Sequence, residues 1–192
     1  MSLNSMKNAA PPAVDMSFVK GDRDAAEVLL PMGVTSENVS ERFGVGRAEQ
    51  DQFAAESHAR AKRAQDSGLF DAEIIPISVN EGVRGDTTVE KLARLKAVFK
   101  KGGSTTAGNS SQVSDGAAAC LVTTRMRAQE LGLPMLGVLR SFAVVGVPPA
   151  VMGIGPAVAI PAAAARAGLS LGEVDLYELN EAFASQATYC IK

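Results

Sequence analysis

DLYELNEAFASQATYCI, residues 175–191, is the stretch whose reading decides the fold. Residues 175–179 read as a strand and residues 182–191 as a helix, with Asn180 and Glu181 at the junction. Upstream, residues 137–147 form a long β-branched and aliphatic run that reads as a buried strand. Between the two, residues 156–167 predict an alanine-rich helix. Pro156 sits in its first turn, where a missing N–H costs least, and Gly168 ends it. Strand, helix, strand, helix in this order implies an α/β fold with a parallel or mixed layered sheet. Residues 117–122 are a small-residue apolar run, and residues 125–131 predict a short amphipathic helix ended by Gly132.

The first half has a different character, helical with little strand. Residues 1–27 read as an irregular lead-in, broken by Pro11, Pro12 and Gly21. Thr35 is placed to cap a helix over 36–43 that Gly44 stops. A longer helix begins after Gly46 and runs to Ser67, with Gly68 as its stop. On it Phe53, Ala54, Ser57, Ala61 and Ala64 recur at three- and four-residue spacing, which predicts one narrow buried stripe. Residues 74–79 read as a strand that Pro76 demotes to an edge, and residues 80–88 as a loop. Residues 89–99 predict a helix with Leu92, Leu95 and Phe99 on one face. Residues 100–106, KKGGSTT, are a linker by composition.

Composition excludes several classes. The chain has 192 residues, enough to bury a core, and its 46% hydrophobic content argues against wholesale disorder. A net charge of −2 argues against a nucleic-acid partner. Aromatics are 5% with no Trp, so the core is expected to be aliphatic and alanine-rich. Two cysteines and one histidine cannot build a zinc cluster or a disulfide framework, so no metal is expected. No apolar run approaches the ~20 residues of a membrane span. Residues 1–16 lack the order of a signal peptide.

Five features carry possible chemistry. Gly153-Ile154-Gly155 before a helix resembles part of a dinucleotide fingerprint, but Val158 stands where the third glycine belongs, so a tight turn is the better reading. Cys120, among alanines, reads as a buried, inert thiol, and Cys190 as equally inert. His58, on the long helix, reads as a partly exposed structural residue. Residues 106–116, TAGNSSQVSDG, fit two readings equally: a linker ending in caps, or a small-residue segment that lets a ligand approach the backbone. Asn180 stands at the carboxyl end of a strand, where α/β sheets bind ligands and where an amide can hold a water or an oxyanion. On chemistry alone, a plain helix cap explains it better.

The segments together resemble the thiolase family. Asn180-Glu181-Ala182-Phe183-Ala184 looks like its asparagine signature, and TAGNSSQVSDGAA from Thr106 to Ala118 is similar to the segment that closes its loop domain. Val151-Met152-Gly153-Ile154-Gly155-Pro156 resembles a further thiolase stretch. Glu37-Asn38-Val39 with Glu49-Gln50-Asp51 resembles the start of the loop domain. Leu30-Pro31-Met32-Gly33 and Asn109-Ser110-Ser111-Gln112 look most like the peroxisomal members that cleave 3-ketoacyl-CoA in fatty-acid β-oxidation. The resemblance implies a partial thiolase fold: a CoA-binding loop domain over residues 1–111, the end of the N-terminal half over 112–133, and the start of the C-terminal half over 134–192.

It also implies a chemistry. Thiolases cleave 3-ketoacyl-CoA with free CoA, giving acetyl-CoA and a shortened acyl-CoA, through a cysteine nucleophile and a second cysteine that moves the proton. CoA is a substrate, and no separate cofactor is expected. By the resemblance, Asn180 would fix the oxyanion-hole water. Arg84 would lie near the adenine with Val98 and Phe99 beside it. Ala107, Gly108 and Ser111 would follow the pantetheine, and Met32, Met152, Ala182 and Phe183 would line the reacting end. A homodimer and a peroxisomal location are implied likewise, with mitochondrion or cytoplasm as alternatives. Within these 192 residues the family's Cys-Ser-Ser-Gly type motif, its Gly-His-Pro motif and its second catalytic cysteine are missing. The stretch 79–84 is shorter than the family's loop. The expectation is therefore a chain inactive by itself. The alternative is a non-catalytic module for CoA binding or oligomerisation.

Overall fold

The structure is a computed structural model, and it describes residues 15–74, 82–113 and 117–192. Eight α-helices are present among them: α1 (Met16–Gly21), α2 (Arg23–Val28), α3 (Met32–Phe43), α4 (Arg47–Asp66), α5 (Val89–Ala93), α6 (Arg125–Glu130), α7 (Gly155–Arg166) and α8 (Ala184–Ile191). Two 3₁₀ turns, Pro149–Ile154 and Leu171–Glu173, complete the set. Helix α3 lies at the centre, packed against the first 3₁₀ turn and α8, while α4 packs on α5 and α8.

Helix endings follow local chemistry. Gly44 takes φ 68°, the left-handed conformation that only glycine adopts cheaply, and its N–H donates to Ser40 O. Val45 N–H donates to the same carbonyl at 3.0 Å. Gly68, Gly132 and Gly168 also have positive φ just beyond α4, α6 and α7. Beginnings differ more from the sequence reading. Helix α3 starts a turn early, at Met32 after Pro31, so Thr35 is not a cap. Its hydroxyl turns back and donates to Met32 O at 2.8 Å. The lead-in carries α1 and α2, capped by Asp15 and Asp22, whose carboxylates accept from Ser17 N–H and Ala25 N–H at 2.9 Å each. Helix α5 ends at Ala93 rather than near Phe99, and Leu95 and Phe99 are exposed.

The apolar part of the core is aliphatic and alanine-rich, as composition implies, but it is not the whole core. Val39, Val45, Leu92, Val151 and four alanines are buried, but buried polar side chains outnumber apolar ones among the described residues. Glu37 is the centre of this polar set. Ser104 N–H lies 3.0 and 2.9 Å from its two carboxylate oxygens, and Thr105 N–H donates to Oε1 at 2.8 Å. The Ser104 hydroxyl is 3.1 Å from Glu37 Oε2 and 2.9 Å from Ser40 Oγ. A buried carboxylate is costly unless such donors surround it. Ser36 Oγ is 2.8 Å from both Thr105 Oγ1 and Ser185 Oγ, which ties α3 to α8. Residues 104–106, read as linker, are thus fully buried. Gly103 is needed beside them, because a Cβ there would overlap the Glu37 carboxylate.

No strand is formed among the described residues beyond an isolated antiparallel bridge between Ser110 and Phe183. Residues 137–147 are exposed rather than buried, with Phe142 71% and Val144 82% accessible. They are held to α7 by Ser141 Oγ donating to Ala163 O at 2.7 Å and Arg166 Nη1 donating to Phe142 O at 2.9 Å. Residues 175–179 are open as well, with Leu176 75% accessible, and residues 117–122 are exposed. The physical reason is that a strand exists only through its neighbour's ladder, and none of these runs has one. The edge-strand reading of 74–79 lies outside the described residues from 75 onward. One helical run, Pro149–Arg166, is long and apolar enough by length and composition to cross a membrane, which the sequence reading did not find. Its first third is a 3₁₀ turn with a non-helical Val151, and Pro161 interrupts α7.

Glu37→Ala would leave two buried backbone N–H groups without acceptors, at an expected cost of about 2–4 kcal/mol. Glu41→Ala removes only an exposed pair with Lys100 and should cost at most about 1 kcal/mol. Urea unfolding followed by circular dichroism measures both, and equal losses would contradict the account of the polar core.

Candidate functional site

The polar core shapes a turn. Asp51 of α4, buried and paired with Arg47 Nε at 2.7 Å, accepts from Asn109 Nδ2 at 3.1 Å. Asn109 also donates to Ser104 O at 3.0 Å and accepts Thr106 N–H at 2.8 Å. Ser110 Oγ closes the turn onto Thr106 O at 2.7 Å. Residues 106–110 are therefore a built turn, which removes the linker reading for this part. Gly108 has a packing reason too, since a Cβ there would run into the side chains of Leu92 and Leu95. Residues 114–116 of the same segment lie outside the described residues.

The turn then grips the signature segment. Ser111 N–H donates to Ala182 O and Ala184 N–H donates to Asn109 O, each at 2.9 Å. Ser57 Oγ of α4 donates to Glu181 Oε2 at 2.5 Å. Helix α8 starts only at Ala184, with Phe183 in the cap position. Asn180 is thus not a helix cap, against the plain reading of the sequence. It stands exposed on the wall of a groove.

That groove has a volume of about 1280 Å³. One face of α4, carrying Ala54, Ser57, His58 and Ala61, forms its floor. The loop 82–87, α5, the turn 107–112 and residues 178–181 complete its lining. Five of the expected site residues meet here: Arg84, Ala107, Gly108, Ser111 and Asn180. Arg84 and Asp86 both help to fasten the loop. Arg84 N–H donates to His58 Nδ1 at 3.3 Å, and Lys91 Nζ reaches both Asp86 O and Asp86 Oδ2 at 2.7 Å. The Lys91 hydrogen bond, aided by its charge, holds the Asp86 carboxyl below the usual carboxylate range.

The other expected residues lie off the groove. Phe99 packs against Gly33, next to exposed Met32, and Val98 N–H donates to Thr105 O at 3.1 Å. Ala182 and Phe183 are half-buried against the backbone of Ser110 and Ser111. Met152 is exposed on the 3₁₀ turn that packs on α3. Sequence reasoning named Ser57 and Glu181 without giving them a site role, passed over Asp86 and Lys91, and took His58 as merely structural. The stripe on α4 was the usable signal, since its floor residues follow that spacing.

Neither cysteine lines the groove. Cys120 is exposed rather than buried. Cys190 is half-buried, its Sγ 3.6 Å from Gly153 O, and burial pushes its thiol up. Among the described residues no cluster of His, Cys, Asp or Glu is arranged to hold a metal ion.

Comparison with known proteins gives the family of this arrangement. Residues 2–126 match the thiolase N-terminal domain and residues 133–192 the thiolase C-terminal domain, and the chain belongs to the thiolase family. It is 55% identical over 208 aligned positions to the peroxisomal 3-ketoacyl-CoA thiolase A of Rattus norvegicus, covering 100% of this chain and 47% of that one. It is 58% identical over 184 positions to the peroxisomal 3-ketoacyl-CoA thiolase of Homo sapiens, covering 88% and 43%. The chain thus spans about half the length of the curated relatives it matches. The dimeric peroxisomal thiolase of Saccharomyces cerevisiae superposes with a TM-score of 0.91 at 44% identity, over 98% of this chain and 50% of that one. Human mitochondrial 3-ketoacyl-CoA thiolase, solved in complex with CoA, gives 0.81 at 41% identity, over 86% and 43%. The fold is therefore the thiolase fold, present here in part.

The raised Cys190 thiol carries less thiolate at any given pH than an exposed one. At pH 8, iodoacetamide should alkylate Cys120 at least about tenfold faster than Cys190. Peptide mass spectrometry on the folded chain reads the two rates, and faster labelling of Cys190 would contradict its placement.

Proposed function

We propose that the chain is the CoA-handling part of a thiolase that cleaves 3-ketoacyl-CoA thiolytically in fatty-acid β-oxidation. The observation that carries this reading is the groove, which gathers Arg84, the Ala107–Ser111 turn and Asn180 around one face of α4. A long, mostly extended thiol ester suits such a shape. Arg84 offers a fixed positive charge and a planar face for the nucleotide end. Ala107, Gly108 and Ser111 present backbone with little side chain in the way, as an amide-rich pantetheine arm needs. Asn180 offers an amide free of capping duty, able to orient a water where negative charge develops on a thioester oxygen. Val98, Phe99, Met32, Met152, Ala182 and Phe183 would then act on CoA and the acyl end only from beside the groove. CoA serves as substrate, and the reaction as proposed calls on no separate cofactor.

The nucleophile is the missing part. Thiolysis needs a thiolate that attacks the keto carbon and carries the acyl group, and neither Cys120 nor Cys190 reaches the groove. These 192 residues alone are therefore proposed to bind but not to turn over. A homodimer and a peroxisomal setting are proposed on the names of the relatives. A non-catalytic CoA-binding or oligomerisation module is favoured by one observation, the absence of a cysteine from the groove.

Calorimetry with CoA tests the reading. Saturable heat at or below millimolar ligand is expected, weakened by Arg84→Ala. No heat at millimolar CoA would sink it. In the same preparation, thiolysis of acetoacetyl-CoA should be absent. Turnover that disappears in Asn180→Ala would overturn the proposed inactivity.

A further inference from the structure

We infer that His58 is a positioning residue that sets the nucleotide-end wall of the groove by holding the loop 82–87 through the backbone of Arg84. The inference rests on the CoA-binding reading for its functional meaning but on geometry for its mechanism. His58 stands on the α4 floor, and its Nδ1 accepts the Arg84 N–H at 3.3 Å. An imidazole accepts through Nδ1 only as the tautomer with its proton on Nε2. That leaves the Nε2 N–H as a donor on the same ring.

The rest of the loop has few other fixings to α4. Gly85 lies against the stem of Lys62, where a Cβ would come within 2.8 Å, so this contact is steric and directs no bond. The Lys91–Asp86 pair fastens the loop to α5, not to α4. His58 is thus the directional link between the loop and the floor, and the Arg84 side chain leaves the backbone at the very residue it holds. Losing the link leaves the pantetheine side untouched, because the Ala107–Ser111 turn is fixed separately by Asn109 and Asp51.

Two variants of the full 192-residue chain test this: His58→Leu, which cannot accept, and His58→Gln, which can. Hydrogen–deuterium exchange is read on the peptide covering 82–88, without ligand. Exchange there should rise roughly three- to tenfold in His58→Leu, the worth of one hydrogen bond, and less in His58→Gln. Calorimetry then compares adenosine 3′,5′-bisphosphate with pantetheine. His58→Leu should weaken the nucleotide by a similar factor and leave pantetheine unchanged. Unchanged exchange over 82–88 overturns the inference, and so does an equal loss for both ligand halves. If the wild-type chain binds neither, the CoA reading falls, while the exchange result still decides whether His58 holds the loop.

Discussion

Burying a carboxylate constrains everything around it. Among the described residues no cation pairs with Glu37; it is held by the amides of Ser104 and Thr105 and the hydroxyl of Ser104. Those donors exist in place only if residues 103–105 run directly against α3. Gly103 makes that approach possible by having no Cβ. Once residues 104–106 are fixed, Asn109 is within reach of both Ser104 O and Asp51, and the turn 106–110 has only one way to close. A polar contact deep in the helical layer thus determines the shape of a surface loop.

The same logic joins the two parts of the chain. Asn109 donates inward with its side chain and accepts Ala184 N–H with its carbonyl. Ser185 meets Ser36 at the start of α8, one residue after Ala184. Ser57 holds Glu181 from the α4 side. The segment carrying Asn180 is therefore located by hydrogen bonds from α3, α4 and the turn, three elements distant in sequence. Apolar packing alone would leave such a segment free to slide, whereas directional bonds fix its register.

What the sequence made legible was local. Helix stops at Gly44, Gly68, Gly132 and Gly168 could be read because the left-handed residue and the helix it ends are neighbours in the chain. The strands at 137–147 and 175–179 could be read as extended and apolar but not as buried, since burial depends on a partner strand that no local pattern reveals. The polar core was illegible for another reason. Glu37, Gln50, Asp51 and Asn109 are residue types found mostly at surfaces, and their burial is decided by donors up to 68 positions away. At the site, physics alone left Asn180 as a helix cap and residues 106–116 undecided. The family resemblance put Asn180 at the reacting end and residues 107–111 beside CoA. The structure adds that α8 begins too late for Asn180 to cap it. His58 escaped because a lone histidine on an amphipathic helix has no chemistry of its own until the loop it holds is in view.

The division between satisfied and unsatisfied surface gives the molecule two regimes of stability. From α3 to the turn at 110, and again in α8, buried polar groups are nearly all paired; Gln50 Oε1 and Thr188 Oγ1 are the exceptions among the described residues. Across 117–147 the reverse holds: Leu136 is 98% accessible and few hydrogen bonds tie the run to its neighbours. Regions with few buried contacts open at low cost, while those with dense internal bonding open only near the global limit. The floor of the groove belongs to the first regime, because it continues along α4 the same face that carries Gln50 and Asp51 into the polar core. The groove's wall at residues 178–181 overlaps the open run 175–179, and the bonds from Ser111 to Ala182 and from Ser57 to Glu181 hold that end in place. The groove therefore joins the two regimes: its floor stands on a core that is already closed, while part of its wall belongs to a run with no sheet partner among the described residues.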